Sequence, residues 1–233
     1  MIASDLQFER DGAAIIRGAV LLSGLEQIAA AFGDAGGPGR RAFEHSAEIS
    51  DLVGTDGAMG KIAQSLAAPG QTMRPVRIVL FDKTPDANWA VPWHQDRTIA
   101  VTERHEIAGF DHWNRKNGVD HVEPPVDLLS RMLTLRLHLD QTGADNGALH
   151  IIAGSHGLGR VAEPAMMDAV SGRAAVCCEA HAGDVLAMRL TTIHKSDRAT
   201  TPSRRRVLHV DYSPDELPAP LQWALSSTLS NAA

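Results

Sequence analysis

The stretch Met132-Leu-Thr-Leu-Arg-Leu-His-Leu139 decides how this chain is read. Alternate side chains of a strand point to opposite faces, so Leu133, Leu135 and Leu137 share one face while Thr134, Arg136 and His138 share the other. Period-two alternation of this kind marks a strand. The polar face has two readings. It either meets solvent, or lines the inside of a barrel, where an arginine and a histidine are costly unless they meet a ligand or a partner.

Similar runs lie on both sides. Arg77 to Phe81, Ala148 to Ile152, Ala174 to Cys178, Val185 to Leu190 and Arg206 to Tyr212 are short apolar or alternating segments. Turn formers such as Asp145-Asn-Gly147, Gly154-Ser155 and Gly183-Asp184 punctuate them, which predicts an all-β barrel or sandwich over residues 74–212. Residues 1–73 read as mostly helical support. Helices are expected over 25–32 and over 56–67, the second with Met59, Ile62 and Leu66 on one stripe and Pro69-Gly70 ending it. A short strand is expected at Ala13 to Arg17, and Gly33 to Arg41 reads as a Gly/Pro loop.

Composition narrows the class. A chain of 233 residues, 44% hydrophobic, suits one domain over residues 1–233. The net charge of −6 and the scattering of basic residues, Arg204, Arg205 and Arg206 apart, argue against a nucleic-acid partner. No stretch is long and apolar enough for a membrane span, and the N-terminus lacks the pattern of a secretory signal, so a cytoplasmic protein with a small-molecule substrate is expected. No oligomeric state is signalled. The two cysteines, Cys177 and Cys178, are adjacent in an apolar run whose alternation sends them to opposite faces, so no disulfide is expected.

Three His-x-Asp pairs occur, at His94/Asp96, His138/Asp140 and His209/Asp211. Two imidazoles and one carboxylate on one face of a ferrous ion form the facial triad of non-haem oxygenases and leave positions for a cosubstrate and O2. A strand's i, i+2 spacing supplies the pair, and a later histidine completes it. His209/Asp211 has no histidine after it. The choice between the other two rests on the strands separating each from His194, and the longer interval after His94 favours His94, Asp96 and His194 as the metal ligands. A carboxylate cosubstrate needs a fixed cation, and guanidinium offers paired donors. Arg204, Arg205 and Arg206 are the candidates, and the strand's register decides between Arg205 and the pair Arg204/Arg206.

Four segments together resemble the phytanoyl-CoA dioxygenase (PhyH) family of 2-oxoglutarate-dependent oxygenases: FDKTPDANWAVPWHQD (81–96), DNGALHIIAGSH (145–156), GDVLAM (183–188) and HKSDRATTPSRRRVLHVDY (194–212). The resemblance runs from about residue 8 to 223. It implies a mainly β fold with flanking helices, a double-stranded β-helix or cupin-like jelly-roll barrel. It further implies Fe(II) on His94, Asp96 and His194, with 2-oxoglutarate and O2 as cosubstrates. Arg205 would pair with the distal carboxylate of 2-oxoglutarate, and Ser196 would donate a hydrogen bond to it. Arg136 falls where some members carry an aromatic residue near the cosubstrate. The implied reaction is hydroxylation of a C–H bond with release of succinate and CO2. Asp96 argues against halogenation, because the related halogenating enzymes carry a small residue there. A metal-dependent cupin-like hydrolase or isomerase and a non-catalytic metabolite-binding barrel are the alternatives.

Substrate identity is not written in these motifs. The connection Glu103 to Pro125, with His105, His112, Trp113, Lys116 and His121, reads as a lid or binding loop or as a structural insertion. Pro124-Pro125 makes the His121-Val-Glu123 pair part of that loop and not a metal pair. Trp89 and Trp93 read as packing residues, and His45, His150, His156 and His181 as surface or satisfied core.

Overall fold

A computed structural model of the chain describes residues 2–30, 32–33, 37–41 and 46–225. In chain order its elements are α1 (Phe8–Asp11), β1 (Ala13–Ile16), α2 (Leu22–Ala30), β2 (Gly37–Arg41), α3 (Ala47–Val53), α4 (Ala58–Ser65), β3 (Arg74–Lys83), β4 (Val91–His94) and β5 (Ile99–Val101). Then follow β6 (Asp111–Lys116), β7 (Val119–Glu123), α5 (Val126–Arg131), β8 (Leu133–His138), β9 (Leu149–Ile152), α6 (Met166–Val170), β10 (Ala175–Cys178), β11 (Val185–Arg189), β12 (His194–Ser196) and β13 (Arg205–Ser213).

Two antiparallel sheets form the jelly roll, ordered β1-β11-β8-β13-β3-β2 and β10-β9-β12-β4. Their closed end is apolar: Leu149, Ile151, Val176 and Cys178 of the smaller sheet pack with Leu186 and Met188 of the larger. The outer face of the larger sheet carries the helices. Leu133, Leu135, Leu137, Ile78, Leu80, Leu208, Val210 and Tyr212 bury against Leu25, Ile28, Ile49, Val53, Met59 and Ala63. At α4 this follows from the expected stripe, with Met59 fully buried and Ile62 and Leu66 partly so.

The other face of β8 points into the barrel. Thr134, Arg136 and His138 are all buried, which removes the solvent-facing reading. Register puts them in rungs: Thr134 opposite Asp211 opposite Arg77, Arg136 opposite His209 opposite Val79, and His138 opposite Val207 opposite Phe81.

Three expectations need correction. Gly33 to Arg41 is not simply a loop, because β2 over Gly37–Arg41 forms an edge of the main sheet, just as β1 forms the other. The N-terminal segment therefore supplies strands as well as helices. The connection Glu103 to Pro125 carries the hairpin β6–β7, which joins β5 in a third sheet. Its turn is Asn117-Gly118, both residues at positive φ (51° and 79°), the primed-turn geometry that suits a hairpin. His121 and Glu123 accordingly sit in a strand and are buried; Pro124-Pro125 leads from it into α5. Cys178 is buried and Cys177 half-buried, both free thiols. No helix among the described residues is long and apolar enough to cross a membrane.

Candidate metal centre and its cationic pocket

Strand register brings the site together. β4 runs antiparallel to β12 with His94 directly opposite His194, and their rings lie 4.1 Å apart centre to centre. Asp96, two residues beyond His94, is placed by its backbone N–H, which donates to the Leu190 carbonyl at 3.1 Å. Gln95 points the other way, as alternation requires. Its amide donates to the carbonyls of Gly159 and Thr191, its oxygen accepts from the Val161 N–H, and the strand end is thereby pinned.

His94, Asp96 and His194 each offer one ligand atom, and the three atoms lie within 4.8 Å of one another. His194 Nε2 is 3.8 Å from an Asp96 carboxylate oxygen. The donor chemistry fits a divalent metal. His94 Nδ1 lies 2.8 Å from the Pro92 carbonyl and His194 Nδ1 lies 2.9 Å from the Thr192 carbonyl. An Nδ1–H held on a carbonyl leaves the Nε2 lone pair for the metal and fixes the ring. Burial, reinforced by His94, drives His194 down to about 3, so its imidazole is the neutral form that ligates. Burial would raise the Asp96 carboxyl, but His194, His209, Arg77 and His94 outweigh it and hold the group below its ordinary range.

The triad opens into a cavity of about 380 Å³ lined also by Arg77, Val79, Phe81, Lys83, Trp89, Arg136, Ser196, Arg205 and His209. The structure separates the three arginines. Arg204 pairs with Asp82 at 2.8 Å and Arg206 with Asp140 at 2.8 Å, whereas Arg205 turns inward and is buried. Its Nη1 donates to the Gly147 carbonyl, and its Nε has no hydrogen-bond partner among the described residues. Gly147 stands at φ 70°, and a Cβ there would come within 2.9 Å of the Asp197 carbonyl, so the turn that presents this carbonyl needs glycine. The Ser196 hydroxyl donates to the same carbonyl at 3.2 Å and accepts from Lys83 Nζ at 3.0 Å. One carbonyl oxygen thus gathers the two groups that the family resemblance assigns to the distal carboxylate. Ser196 must turn its hydroxyl to donate to a ligand.

Lys83 is a pocket residue that the sequence reading missed. It is buried, stacks over Trp89 at 5.2 Å, and has no carboxylate within ion-pair distance among the described residues. Burial, with Arg205 and Arg136 nearby, pulls its ammonium down to about 8. Burial and Arg136 likewise bring Arg205 down to about 10. Arg136 is buried over Phe81, also without a carboxylate partner, and its Nε is unpartnered. Its Nη1 donates to His209 Nδ1 at 2.9 Å, and His209 Nε2–H donates to Asp211 at 2.9 Å. Asp211 also holds Arg77 at 2.5 Å. So His209/Asp211 is a buried hydrogen-bonded pair beneath the pocket, away from the metal ligand set. His138 and Asp140 diverge. His138 is buried with its Nδ1 near the Thr142 hydroxyl, while Asp140 serves Arg206. Burial, Arg136 and Arg205 drive His138 down to about 3.

Trp93 packs as expected, in a small cluster with Ile152 and Ile193, but Trp89 lines the cavity. His150 and His156 are partly buried outside it, His181 is exposed, and His45 lies outside the described residues.

The model of the family described as phytanoyl-CoA dioxygenase (PhyH) matches residues 8–207. Among curated proteins none matches the chain. Several solved structures share the fold. The 2-oxoglutarate-dependent carbocyclase SnoK from nogalamycin biosynthesis aligns with a TM-score of 0.65 and 18% identity, over 91% of this chain and 86% of that one. EctD from S. alaskensis aligns with a TM-score of 0.63 and 18% identity, over 91% and 77%. HygX from Streptomyces hygroscopicus, solved with nickel and 2-oxoglutarate, aligns with a TM-score of 0.61 and 15% identity, over 89% and 84%.

Proposed function

Because this chain belongs to the phytanoyl-CoA dioxygenase (PhyH) family, we propose that it is an Fe(II)- and 2-oxoglutarate-dependent dioxygenase that hydroxylates a C–H bond of a small organic molecule. The activity would reside in one oxygenase domain over residues 1–233, with its barrel core at 74–212. The observation that carries the reading is the pairing of two features in one cavity. One is a His94–Asp96–His194 face whose histidines both keep Nε2 for a metal. The other is the buried Arg205, with Lys83 and Ser196, beside it.

Ferrous iron, when bound, supplies an open face where 2-oxoglutarate and O2 meet, and conversion of 2-oxoglutarate to succinate and CO2 provides the oxidising equivalents. The chain does the rest. Arg205 and Lys83 receive the distal carboxylate as fixed, desolvated cations, where charge-assisted hydrogen bonds are strongest. Ser196 adds a hydroxyl. Arg136 keeps positive potential along the wall, and its own orientation is set by His209 and, through it, by Asp211 and Arg77. The apolar end of the barrel and the pinned Gln95 segment keep the ligand geometry rigid and water out. Arg205 has no task in a cupin-like hydrolase or isomerase, and a binding protein needs no metal face open to O2. Carbocyclase and epimerase chemistry among proteins of this fold makes the fate of the activated C–H bond the point to test.

The test is succinate release from 2-oxoglutarate in air and under argon, with and without Fe(II). Slow succinate formation that needs both O2 and Fe(II) is expected, with product mass raised by one oxygen atom once a substrate is found. Equal turnover in air and argon, or none with any compound that binds, would contradict the proposal.

A further inference from the structure

A second cavity of about 530 Å³ adjoins the metal pocket and shares Arg97, Thr98 and Lys116 with it. The common wall begins at the residue after Asp96, so the cavity lies next to the metal site across one short segment. Its other walls come from the β6–β7 hairpin and from Arg160, Ala162 and Glu163.

The hairpin's Glu123 organises this cavity. It is buried, and its carboxylate lies 3.2 Å from Arg97 Nε, 3.7 Å from Arg160 Nε and 3.6 Å from His112 Nε2. Each guanidinium also gives one arm to a backbone carbonyl: Arg97 Nη1 to Val161 at 3.3 Å, and Arg160 Nη2 to Pro124. Both side chains are thereby fixed. Among the described residues Arg97 Nη2 and Arg160 Nη1 donate no hydrogen bond, and one carboxylate serves two guanidinium charges. The remaining carboxylate of the lining, Glu163, is exposed at the rim. The inner cavity leans the same way. Lys83, Arg136 and Arg205 have no carboxylate partner, and a dicarboxylate cosubstrate cannot neutralise three cations together with a metal site of net positive charge.

We propose that the second cavity is the primary-substrate site and that the substrate is an anion, its carboxylate or phosphate held by Arg97 and Arg160 and its reacting carbon reaching past Thr98 to the metal. This rests on the oxygenase reading for the identity of the neighbouring pocket, but not for the anion site itself. A fixed, half-desolvated guanidinium pair selects an oxyanion over a neutral group, and the excess positive potential draws it in.

The experiment uses the full chain under anaerobic conditions, loaded with Fe(II) and saturating 2-oxoglutarate so that the inner cations are occupied. Sulfate, as a tetrahedral oxyanion, and acetate, as a planar carboxylate, are titrated calorimetrically against chloride at matched ionic strength. One of the two should bind saturably, and which one tells a phosphate-type head from a carboxylate. Arg160→Gln should weaken it about tenfold or more, Arg160→Lys should recover part of the loss, and Thr98→Glu should abolish binding. Melting curves identify any variant that fails to fold, and the conclusion is drawn from those that do. No saturable binding beyond chloride, or equal affinity in folded Arg160→Gln and Thr98→Glu, overturns the proposal even if the 2-oxoglutarate chelate forms. Anion binding that depends on Arg160 in a protein that forms no such chelate would sustain the anion site and refute the oxygenase.

Discussion

The two faces of the strand Leu133–His138 use the same backbone for opposite ends. On the outer face the rungs read Leu80, Leu208, Leu137 and Val185, then Ile78, Val210, Leu135 and Ala187. Every one of these side chains is buried beneath the helices or within the same cluster. One pleat away the rungs read Lys83 and Arg205, then Val79, His209 and Arg136, then Arg77, Asp211 and Thr134. These too are buried, yet three of their cations have no counterion among the described residues. Apolar burial on the outer face stabilises at roughly 25 cal/mol per Å². Burying an unpaired charge on the inner face costs several kcal/mol. The fold is held together by one face and disfavoured by the other, and a negative ligand entering the barrel would offset that cost.

The largest effect expected of this contrast is on stability. Leu135→Ala should cost about 2–5 kcal/mol in urea unfolding, while the folded protein keeps its 2-oxoglutarate affinity. A cost below about 1 kcal/mol would mean that the outer face does not carry the fold. Replacement on the inner face should act in reverse. Arg205→Met is expected to leave ligand-free stability unchanged or raised by about 1–2 kcal/mol, because it removes an unpaired buried charge, while 2-oxoglutarate binding falls about a hundredfold. Parallel urea and binding curves check this, and a variant that loses both stability and binding would erase the distinction between the faces.

Lys83 should show a smaller effect with a pH signature. Its folded pKa of about 8 lies below the ordinary 10.5. The charged form is thus disfavoured in the fold, at a cost felt fully below about pH 8 and relieved as pH rises toward 10.5. A bound carboxylate favours the charged form, so 2-oxoglutarate affinity should weaken as pH rises through about 8. Lys83→Met should lower affinity roughly tenfold near neutrality and flatten that dependence. An unchanged pH profile in the variant would remove Lys83 from the anchor. Ser196→Ala should cost least, about threefold in affinity, since its hydroxyl already has the Gly147 carbonyl as a partner.

Alternation made most of this legible. Met132 to Leu139 announced both faces, and His94-x-Asp96 announced two side chains that converge at the end of β4. The polar face stayed ambiguous because period two says which residues share a face, not where that face points. Three consecutive arginines cannot declare their own register; Asp82 and Asp140, distant in sequence, take Arg204 and Arg206 and leave Arg205 for the pocket. Lys83 was available by the same rule, on one face with Arg77, Val79 and Phe81, but it lies at the strand's end where pattern fades. The hairpin after Glu103 escaped notice because its strands are charged. Asn117-Gly118 was the signal.

We propose that the inner face holds a metal and a dicarboxylate together. The most direct measurement is an anaerobic titration of metal-free protein with Fe(II) and 2-oxoglutarate, watching the visible charge-transfer band of the chelate. A saturable band is expected in the wild type, lost in His94→Ala and Asp96→Ala and shifted to far higher 2-oxoglutarate concentrations in Arg205→Met. No band in the wild type, or the same band in all four proteins, would contradict it.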